Sequence, residues 1–233
     1  MSIIDTPANT TAKLSCLKLK GVTTVIRYYN FRNSQQLPDK RLDPPEAKAL
    51  AASGLRIAVV FQQGQNNAAA FSDEQGFKAG LAAFRHARDK IGQPTGSGIY
   101  FSVDFDANIT QINQRIAPFF KGVRRAFSQE SAGGGSYRVG VYGSGLVAST
   151  LTAKGLIELT WLAMSRGFSG TKAALQAGEF HLAQVPPEKI LCGLDVDFND
   201  PNPARPDFGA FTLAASPAEV AVPVATVGNV HNA

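Results

Sequence analysis

Polar side chains, most of them acidic, stand where four β-like segments of this chain come to an end. The segments cover residues 2–5, 57–63, 98–106 and 190–198, and apolar or β-branched residues lead up to each polar group. Three of them carry aspartates, namely Asp5, Asp104, Asp106, Asp195 and Asp197. In a barrel of parallel strands, every strand ends at the same mouth. We therefore expect carboxylates that are far apart in sequence to meet in one pocket.

β-like and helical segments alternate along nearly all of the 233 residues. The β-like segments are predicted at residues 2–5, 23–29, 55–62, 99–105, 137–142, 156–164, 180–185 and 190–198. This alternation, in a chain of barrel-like length, predicts an α/β fold: a (β/α)8 TIM-like barrel with irregular helices. We assign the barrel to residues 1–199, with a C-terminal tail at 200–233 in place of the last helix. A doubly wound open sheet is the alternative, but the GxGxxG dinucleotide motif is absent.

The composition is that of a globular protein, with 44% hydrophobic and 18% charged residues. The net charge of +5 favours anionic partners, although the basic residues are spread over the outer faces of predicted helices. We predict no nucleic-acid partner and no membrane partner. The sequence leaves the oligomeric state open.

The two cysteines, Cys16 and Cys192, lack the spacing typical of a zinc site. We interpret them as buried small hydrophobic residues rather than as a disulfide. Neither a signal peptide nor an apolar segment of about 20 residues is recognisable. The expectation is synthesis in the cytoplasm, followed by action in the periplasm or cell wall after lysis or non-classical secretion.

The aspartates at the strand ends suggest acid/base chemistry. Alternate side chains share one face of a strand, so Asp104 and Asp106 are expected to point the same way, as are Asp195 and Asp197. Neighbouring carboxylates repel each other, which raises the pKa of one of them. Cleavage of a glycosidic bond requires one protonated and one ionised carboxyl group. We assign Asp104 as the proton donor, supported by Asp106, with Asp5 and Asp197 as candidates to orient water or stabilise positive charge.

Other predicted strand ends carry groups suited to sugar recognition, because aromatic rings stack on sugar faces and amides bond to hydroxyl groups. The candidates for substrate binding are Arg27, Tyr28, Gln62, Tyr142, Trp161, Gln184 and Asp195. A lone Trp on a strand is more often part of the core, so Tyr142 is the better candidate for stacking.

Three functional classes fit this pattern. The first is a glycan hydrolase that uses carboxylates, without a metal or cofactor. The second is a catalytically inactive barrel that binds glycans. The third is a metal-dependent phosphodiesterase, because an Asp-x-Asp pair can also bind Mg²⁺. No cluster of Lys or Arg suited to binding a phosphate group lies at the strand ends, which favours the first two classes.

Several segments resemble those of the bacterial glycoside-hydrolase-like family, whose members are distantly related to lysozyme-type muramidases. The matching segments are residues 3–5, 25–28, 42–50, 98–106, 138–143 and 196–199. The most specific are Ile-Tyr-Phe-Ser-Val-Asp-Phe-Asp at 99–106 and Val-Gly-Val-Tyr-Gly at 139–143.

This resemblance implies a barrel with an acidic mouth that acts on peptidoglycan or a related glycan. In the muramidase relatives an acid-x-acid pair ends the fourth strand, and its second member is a Glu general acid. Here either Ser102 with Asp104 or Asp104 with Asp106 takes those two positions, and in both registers an Asp replaces the Glu. Without a signal peptide, a lysin freed by cell lysis or a secreted antibacterial effector fits this interpretation.

Overall fold

The computed structural model describes residues 2–214. Within them, eight strands close into a barrel in sequence order. The strands are β1 (Ser2–Asp5), β2 (Val22–Tyr29), β3 (Arg56–Phe61), β4 (Gly98–Ser102), β5 (Arg138–Gly143), β6 (Leu159–Leu162), β7 (Leu182–Leu191) and β8 (Leu194–Pro201). The prediction of an α/β barrel with eight strands is confirmed.

Helices lie on the outside of the barrel. They are α1 (Leu14–Leu19), α2 (Pro44–Ala52), α3 (Asp73–Arg85), α4 (Ile109–Gln111), α5 (Ala117–Glu130), α6 (Gly145–Ala153) and α7 (Thr171–Ala177). Side-chain caps begin several of them; Asp43, for example, accepts a hydrogen bond from the backbone of Glu46 at the start of α2. None of the helices in residues 2–214 is long and apolar enough to cross a membrane.

The last strand runs against its neighbours. β1 to β7 pair in parallel, whereas β8 is antiparallel to both β7 and β1. β7 continues through residues 186–189, where the sequence predicts a break, and turns at Cys192 and Gly193, which have φ angles of 56° and 78°. Such a two-residue turn joins only antiparallel strands. The prediction of a wholly parallel barrel is therefore wrong for β8, which starts at the mouth instead of ending there.

A disulfide joins this hairpin to the first helix. It links Cys16 in α1 to Cys192 in the turn, and the two Cα atoms lie 6.0 Å apart although 176 residues separate them in sequence. Closure of the barrel brings the two cysteines together, because β1 pairs with β8. The interpretation of both cysteines as unpaired hydrophobic residues is wrong.

Alternation along each strand divides its side chains between the barrel interior and the helical layer. Apolar and aromatic residues fill the lower interior, among them Ile3, Ile26, Val60, Tyr100 and Leu182. Two positions further along the same strands, toward the mouth, the inward residues are polar: Asp5, Tyr28, Gln62, Ser102 and Gln184. The barrel therefore has a closed apolar base and a polar upper end.

The chain that follows β8 passes beneath the barrel. Phe211 pairs with Ile57 at the start of β3. Phe208 is buried among the interior residues, and its carbonyl accepts a hydrogen bond of 2.8 Å from the Tyr100 hydroxyl. Residues 202–214 form no helix. The remainder of the predicted tail, residues 215–233, lies outside the described residues.

Candidate active site

A cavity of about 410 Å³ opens at the mouth of the barrel. Its carboxylates are Asp5, Asp104, Glu188, Asp195 and Asp197. The cavity is also lined by other polar and aromatic side chains, among them Tyr28, Gln62, Ser102, Tyr142, Trp161 and Gln184. The structure thus gathers the site residues predicted from the sequence around one cavity, except for Arg27 and Asp106.

Asp5 lies at the base of the cavity and is 2% exposed. Its Oδ1 accepts a hydrogen bond of 3.0 Å from the Tyr28 hydroxyl, and its Oδ2 accepts one of 2.8 Å from Asn199 Nδ2. Burial raises the pKa of Asp5 to about 7; the charge of Asp197 adds to this rise, while the hydrogen bonds from Asn199, Tyr28 and Gln184 oppose it. This carboxyl group therefore holds a proton at weakly acidic pH.

Asp197 stands opposite Asp5 in the pairing of β1 with β8. Gln184 Nε2 donates to the Oδ2 atoms of both carboxyl groups, at 3.2 Å from Asp5 and 2.7 Å from Asp197. Burial raises the pKa of Asp197 to about 6, and the charge of Glu188 adds to the rise. The Oδ1 atom of Asp197 is buried without a hydrogen-bond partner among residues 2–214, which also favours the protonated form. These two residues are called the Asp5–Asp197 pair below.

Two amides hold this pair in place. Gln184 Oε1 accepts a hydrogen bond of 2.7 Å from the Tyr142 hydroxyl, so its nitrogen faces the carboxyl groups. Asn199 is oriented in the same way, because its Oδ1 accepts one of 2.8 Å from the Trp161 indole. The rings of Tyr142 and Trp161 meet edge to face, with centroids 4.7 Å apart. Both aromatic residues therefore orient an amide of the site.

Asp104 lies on a separate wall, beyond the end of β4. Gln62 Nε2 donates to Asp104 Oδ2 at 3.2 Å, and Gln62 Oε1 accepts a hydrogen bond of 2.7 Å from Lys40 Nζ. Partial burial raises the pKa of Asp104 above the usual value of an aspartate, and the positive charge of Lys40 offsets only part of this rise. Asp104 thus faces a cation, while the members of the Asp5–Asp197 pair face amides and each other.

Arg27 is buried outside the barrel instead of lying at the mouth. Because its neighbour Tyr28 faces the interior, alternation turns Arg27 toward α2. Its guanidinium forms an ion pair of 2.9 Å with Glu46 and donates to the carbonyl oxygens of Thr6 at 2.6 Å and Asp39 at 2.7 Å. The structure does not place Arg27 in the substrate site predicted from the sequence; it anchors the loops after β1 and β2.

Asp106 also turns away from the cavity. Its Oδ1 accepts a hydrogen bond of 2.8 Å from the Ser169 backbone, and its Oδ2 accepts one of 3.1 Å from the Ser169 hydroxyl. Strand β4 ends at Ser102, so the alternation that would align Asp106 with Asp104 no longer applies. Asp106 anchors the loop after β6, and the two acids do not converge. In the described part of the chain, no group of three or more His, Cys, Asp or Glu side chains could hold a metal ion.

Sequence reasoning misses three side chains of the site: Lys40, Glu188 and Asn199. Asn199 follows Asp195 and Asp197 at the same spacing of two residues, and this spacing identifies it as a candidate site residue. Glu188 lies in the segment that the prolines at 186 and 187 mark as a turn. Lys40 lies in an irregular loop, where no periodicity indicates which way a side chain points.

The raised pKa of Asp5 makes folding stability depend on pH. Between about pH 4 and pH 7 the folded protein keeps a proton that the unfolded chain has lost, so stability falls as pH rises through this window. Between pH 5 and pH 8, we expect the unfolding free energy of the wild type to fall by about 2–3 kcal/mol more than that of Asp5→Asn. Urea titrations at both pH values measure it. Asp200→Asn, an exposed acid on β8, is the control, and an unchanged pH dependence in Asp5→Asn contradicts the assignment.

Comparison with known proteins connects this chain to a family. The profile of the Rv2525c-like, glycoside hydrolase-like domain matches residues 15–186. "Uncharacterized protein YbfG" of Bacillus subtilis is 34% identical over 175 residues, which are 72% of this chain and 24% of that protein. The chain therefore spans about a quarter of the length of this relative. "Putative peptidoglycan hydrolase Rv2525c" of Mycobacterium tuberculosis is 26% identical over 201 residues, covering 84% of this chain and 78% of that protein.

Solved structures show the same fold. A crystal structure of the M. tuberculosis Tat-secreted protein Rv2525c in complex with HEPES has a TM-score of 0.70 and 24% identity, over 90% of this chain and 98% of that one. An uncharacterized B. stearothermophilus protein has a TM-score of 0.63 and 14% identity, over 89% and 99% of the two chains. At these identities the likeness concerns the fold alone. The family profile covers most of the chain, and the protein belongs to the Rv2525c-like, glycoside hydrolase-like domain family.

Proposed function

We propose that the protein hydrolyses glycosidic bonds of peptidoglycan or a related glycan by carboxylate acid/base chemistry. The observation that carries this proposal is the arrangement of the Asp5–Asp197 pair on one wall of the cavity and Asp104 on another. Membership of a glycoside hydrolase-like family supports it, as does the name of the M. tuberculosis relative. The cavity is open and polar, which suits a hydrated carbohydrate chain.

The environments of the acids favour a division of roles. Burial and mutual repulsion keep a proton on the Asp5–Asp197 pair near neutral pH, and Asp197 is its more exposed member. Asp197 therefore donates the proton to the leaving oxygen, while burial and the charge of Glu188 keep its pKa raised. We assign Asp104 as the ionised carboxylate that activates water or stabilises the cationic sugar, because the charge of Lys40 opposes the rise in its pKa caused by burial. This assignment exchanges the roles that the sequence alone gives to Asp104 and Asp197.

The disulfide supports a site of action outside the cytosol. Disulfides persist in oxidising compartments and are rare where thiols are kept reduced. Because Cys192 lies in the turn of the hairpin that carries Glu188 and Asp197, the same bond stabilises one wall of the cavity. The M. tuberculosis relative is described as Tat-secreted. We therefore propose that the protein acts in the cell envelope or outside the cell, where a wall hydrolase could serve as a lysin or an antibacterial effector.

Digestion of purified peptidoglycan tests the proposed function. We expect the protein to release soluble fragments with new reducing ends, and mass spectrometry of these fragments identifies the bond that is cut. A double variant, Asp104→Asn with Asp197→Asn, is expected to release none above background. Asp200→Asn makes a matched charge change on the same strand as Asp197 and is expected to digest like the wild type.

Two results would contradict this proposal, the first for hydrolysis itself and the second for the assigned carboxylates. If the wild type binds the glycan without releasing fragments, the protein is a glycan-binding barrel. If the double variant digests as fast as the wild type, these carboxylates are not the catalytic groups. Addition of a chelator to the wild type tests the third class, a metal-dependent phosphodiesterase. Loss of activity with the chelator, followed by recovery with Mg²⁺ or Mn²⁺, would favour that class.

A further inference from the structure

A lysine lies beside the acidic cavity. Lys40 belongs to the loop between β2 and α2 and is half-buried. Its ammonium group lies 2.7 Å from Gln62 Oε1 and 4.7 Å from the centre of the Tyr28 ring, and both of those residues line the cavity. The contact over the Tyr28 ring holds the cation at the upper end of β2 and β3.

The loop fixes the backbone on both sides of Lys40. The carbonyl of Asp39 accepts a hydrogen bond of 2.7 Å from the buried Arg27 guanidinium. The backbone N–H of Arg41 donates to Asn33 Oδ1 at 2.9 Å, and that of Leu42 donates to the Tyr28 carbonyl at 2.9 Å. The ammonium group is therefore positioned before any ligand arrives, which reduces the entropy lost on binding.

The hydrogen-bonding capacity of Lys40 is largely unused. An ammonium group has three donors, and within residues 2–214 Lys40 donates to Gln62 and forms no ion pair. Burial lowers the pKa of Lys40, and the charge of Asp104 raises it. A partly desolvated cation with free donors binds an anionic oxygen more strongly than a fully hydrated one does.

We propose that Lys40 binds a carboxylate of the substrate, so that the site selects acidic glycans over neutral ones. This inference rests on the proposed glycan-hydrolase function. The acids near β8, namely Asp5, Asp197 and Glu188, would repel an anionic group, whereas on the opposite side the attraction of Lys40 offsets the repulsion of Asp104. The lysine therefore determines which way round an acidic sugar lies in the cavity.

Binding of single sugars tests this inference without any cleavage. Glucuronic acid carries a free carboxylate, its methylamide does not, and neither has a glycosidic bond to a second sugar. We expect the wild type to bind the acid about 10-fold more tightly than the methylamide in NMR titrations at low salt. Lys40→Met should abolish this preference and leave the affinity for the methylamide within about twofold, while Lys40→Arg should retain most of it.

Lys20→Met is the matched control, because it removes the same charge at an exposed position just before β2, at the opposite end of the barrel. Equal affinity of wild type and Lys40→Met for the acid overturns the inference. An equal weakening for acid and methylamide also overturns it, since Lys40 would then act through Asp104 or Gln62. A wild type that digests no wall polymer but still prefers the acid refutes the hydrolase proposal while supporting a role for Lys40 in recognition.

Discussion

Asp197→Asn is expected to slow glycan hydrolysis by about 10²–10⁴-fold, the usual contribution of a positioned proton donor. The amide has nearly the shape of the carboxyl group but cannot supply a proton to the leaving oxygen. In the wild type, the alkaline limb of the pH–rate profile should fall with an apparent pKa near 6–7, which belongs to the Asp5–Asp197 pair as a unit. The residual activity of Asp197→Asn should lack this limb.

Asp104→Asn should slow glycan hydrolysis to a comparable degree but alter the acidic limb of the pH–rate profile. If Asp104 is the ionised carboxylate, the wild-type rate falls at acidic pH as this group gains a proton, and the variant loses that acidic limb. Rates on substrates of two kinds separate the roles further. An activated aryl leaving group needs little protonation, so it should restore the rate of Asp197→Asn and leave Asp104→Asn slow.

The comparison of the two single variants is decisive for the assignment. Asp200→Asn should keep both limbs and the wild-type rate, since this acid is exposed and lies outside the cavity. If the alkaline limb disappears in Asp104→Asn instead, Asp104 is the proton donor, as the sequence alone suggests. Thermal unfolding of all three variants shows whether any loss of rate comes from loss of the folded protein.

The double variant Cys16→Ser with Cys192→Ser should lower the free energy of unfolding by up to about 5 kcal/mol. The chain-entropy estimate for a loop closed over 176 residues gives this value, because the cross-link restricts about three quarters of the unfolded chain. Such a loss is a large fraction of the 5–15 kcal/mol typical of folded domains. Urea titrations under non-reducing conditions measure it from the midpoint and slope.

The reductant provides the internal control for this prediction. Reduced wild-type protein should unfold at nearly the same urea concentration as the double variant, and the variant should not respond to reductant. A wild type that unfolds at the same midpoint with and without reductant would show that the bond does not form or does not stabilise the fold. The mass of the alkylated protein before and after reduction distinguishes these two cases.

The inward positions of the strands are the part of the site that sequence predicts well. Asp5, Tyr28 and Gln184 follow apolar inward residues at a spacing of two, and the pleat of a strand allows no other face for them. The same argument excludes Arg27, since adjacent residues on a strand cannot share a face. Its partner Glu46 comes from a helix whose orientation is not encoded locally, so the buried ion pair is invisible to pattern analysis.

The direction of β8 and the disulfide depend on contacts that the sequence does not display. The two prolines at 186 and 187 favour a turn, yet they lie within β7, whose pairing with β8 is irregular between Val185 and Lys189. Once the turn is placed at Cys192, the proximity of Cys16 follows from the closure of the barrel. The position of Lys40 escapes sequence prediction for a different reason. Lys40 lies in a loop, where side chains are placed by hydrogen bonds such as those of Arg27 and Asn33.

The hairpin formed by β7 and β8 limits how the walls of the cavity can change in height. It is held at its base by the pairing of β8 with β1 and at its turn by the bond from Cys192 to Cys16 in α1. Paired insertions on its two arms would leave the barrel register intact but would move the turn away from Cys16. A taller wall on this side of the cavity therefore requires loss or relocation of the cross-link.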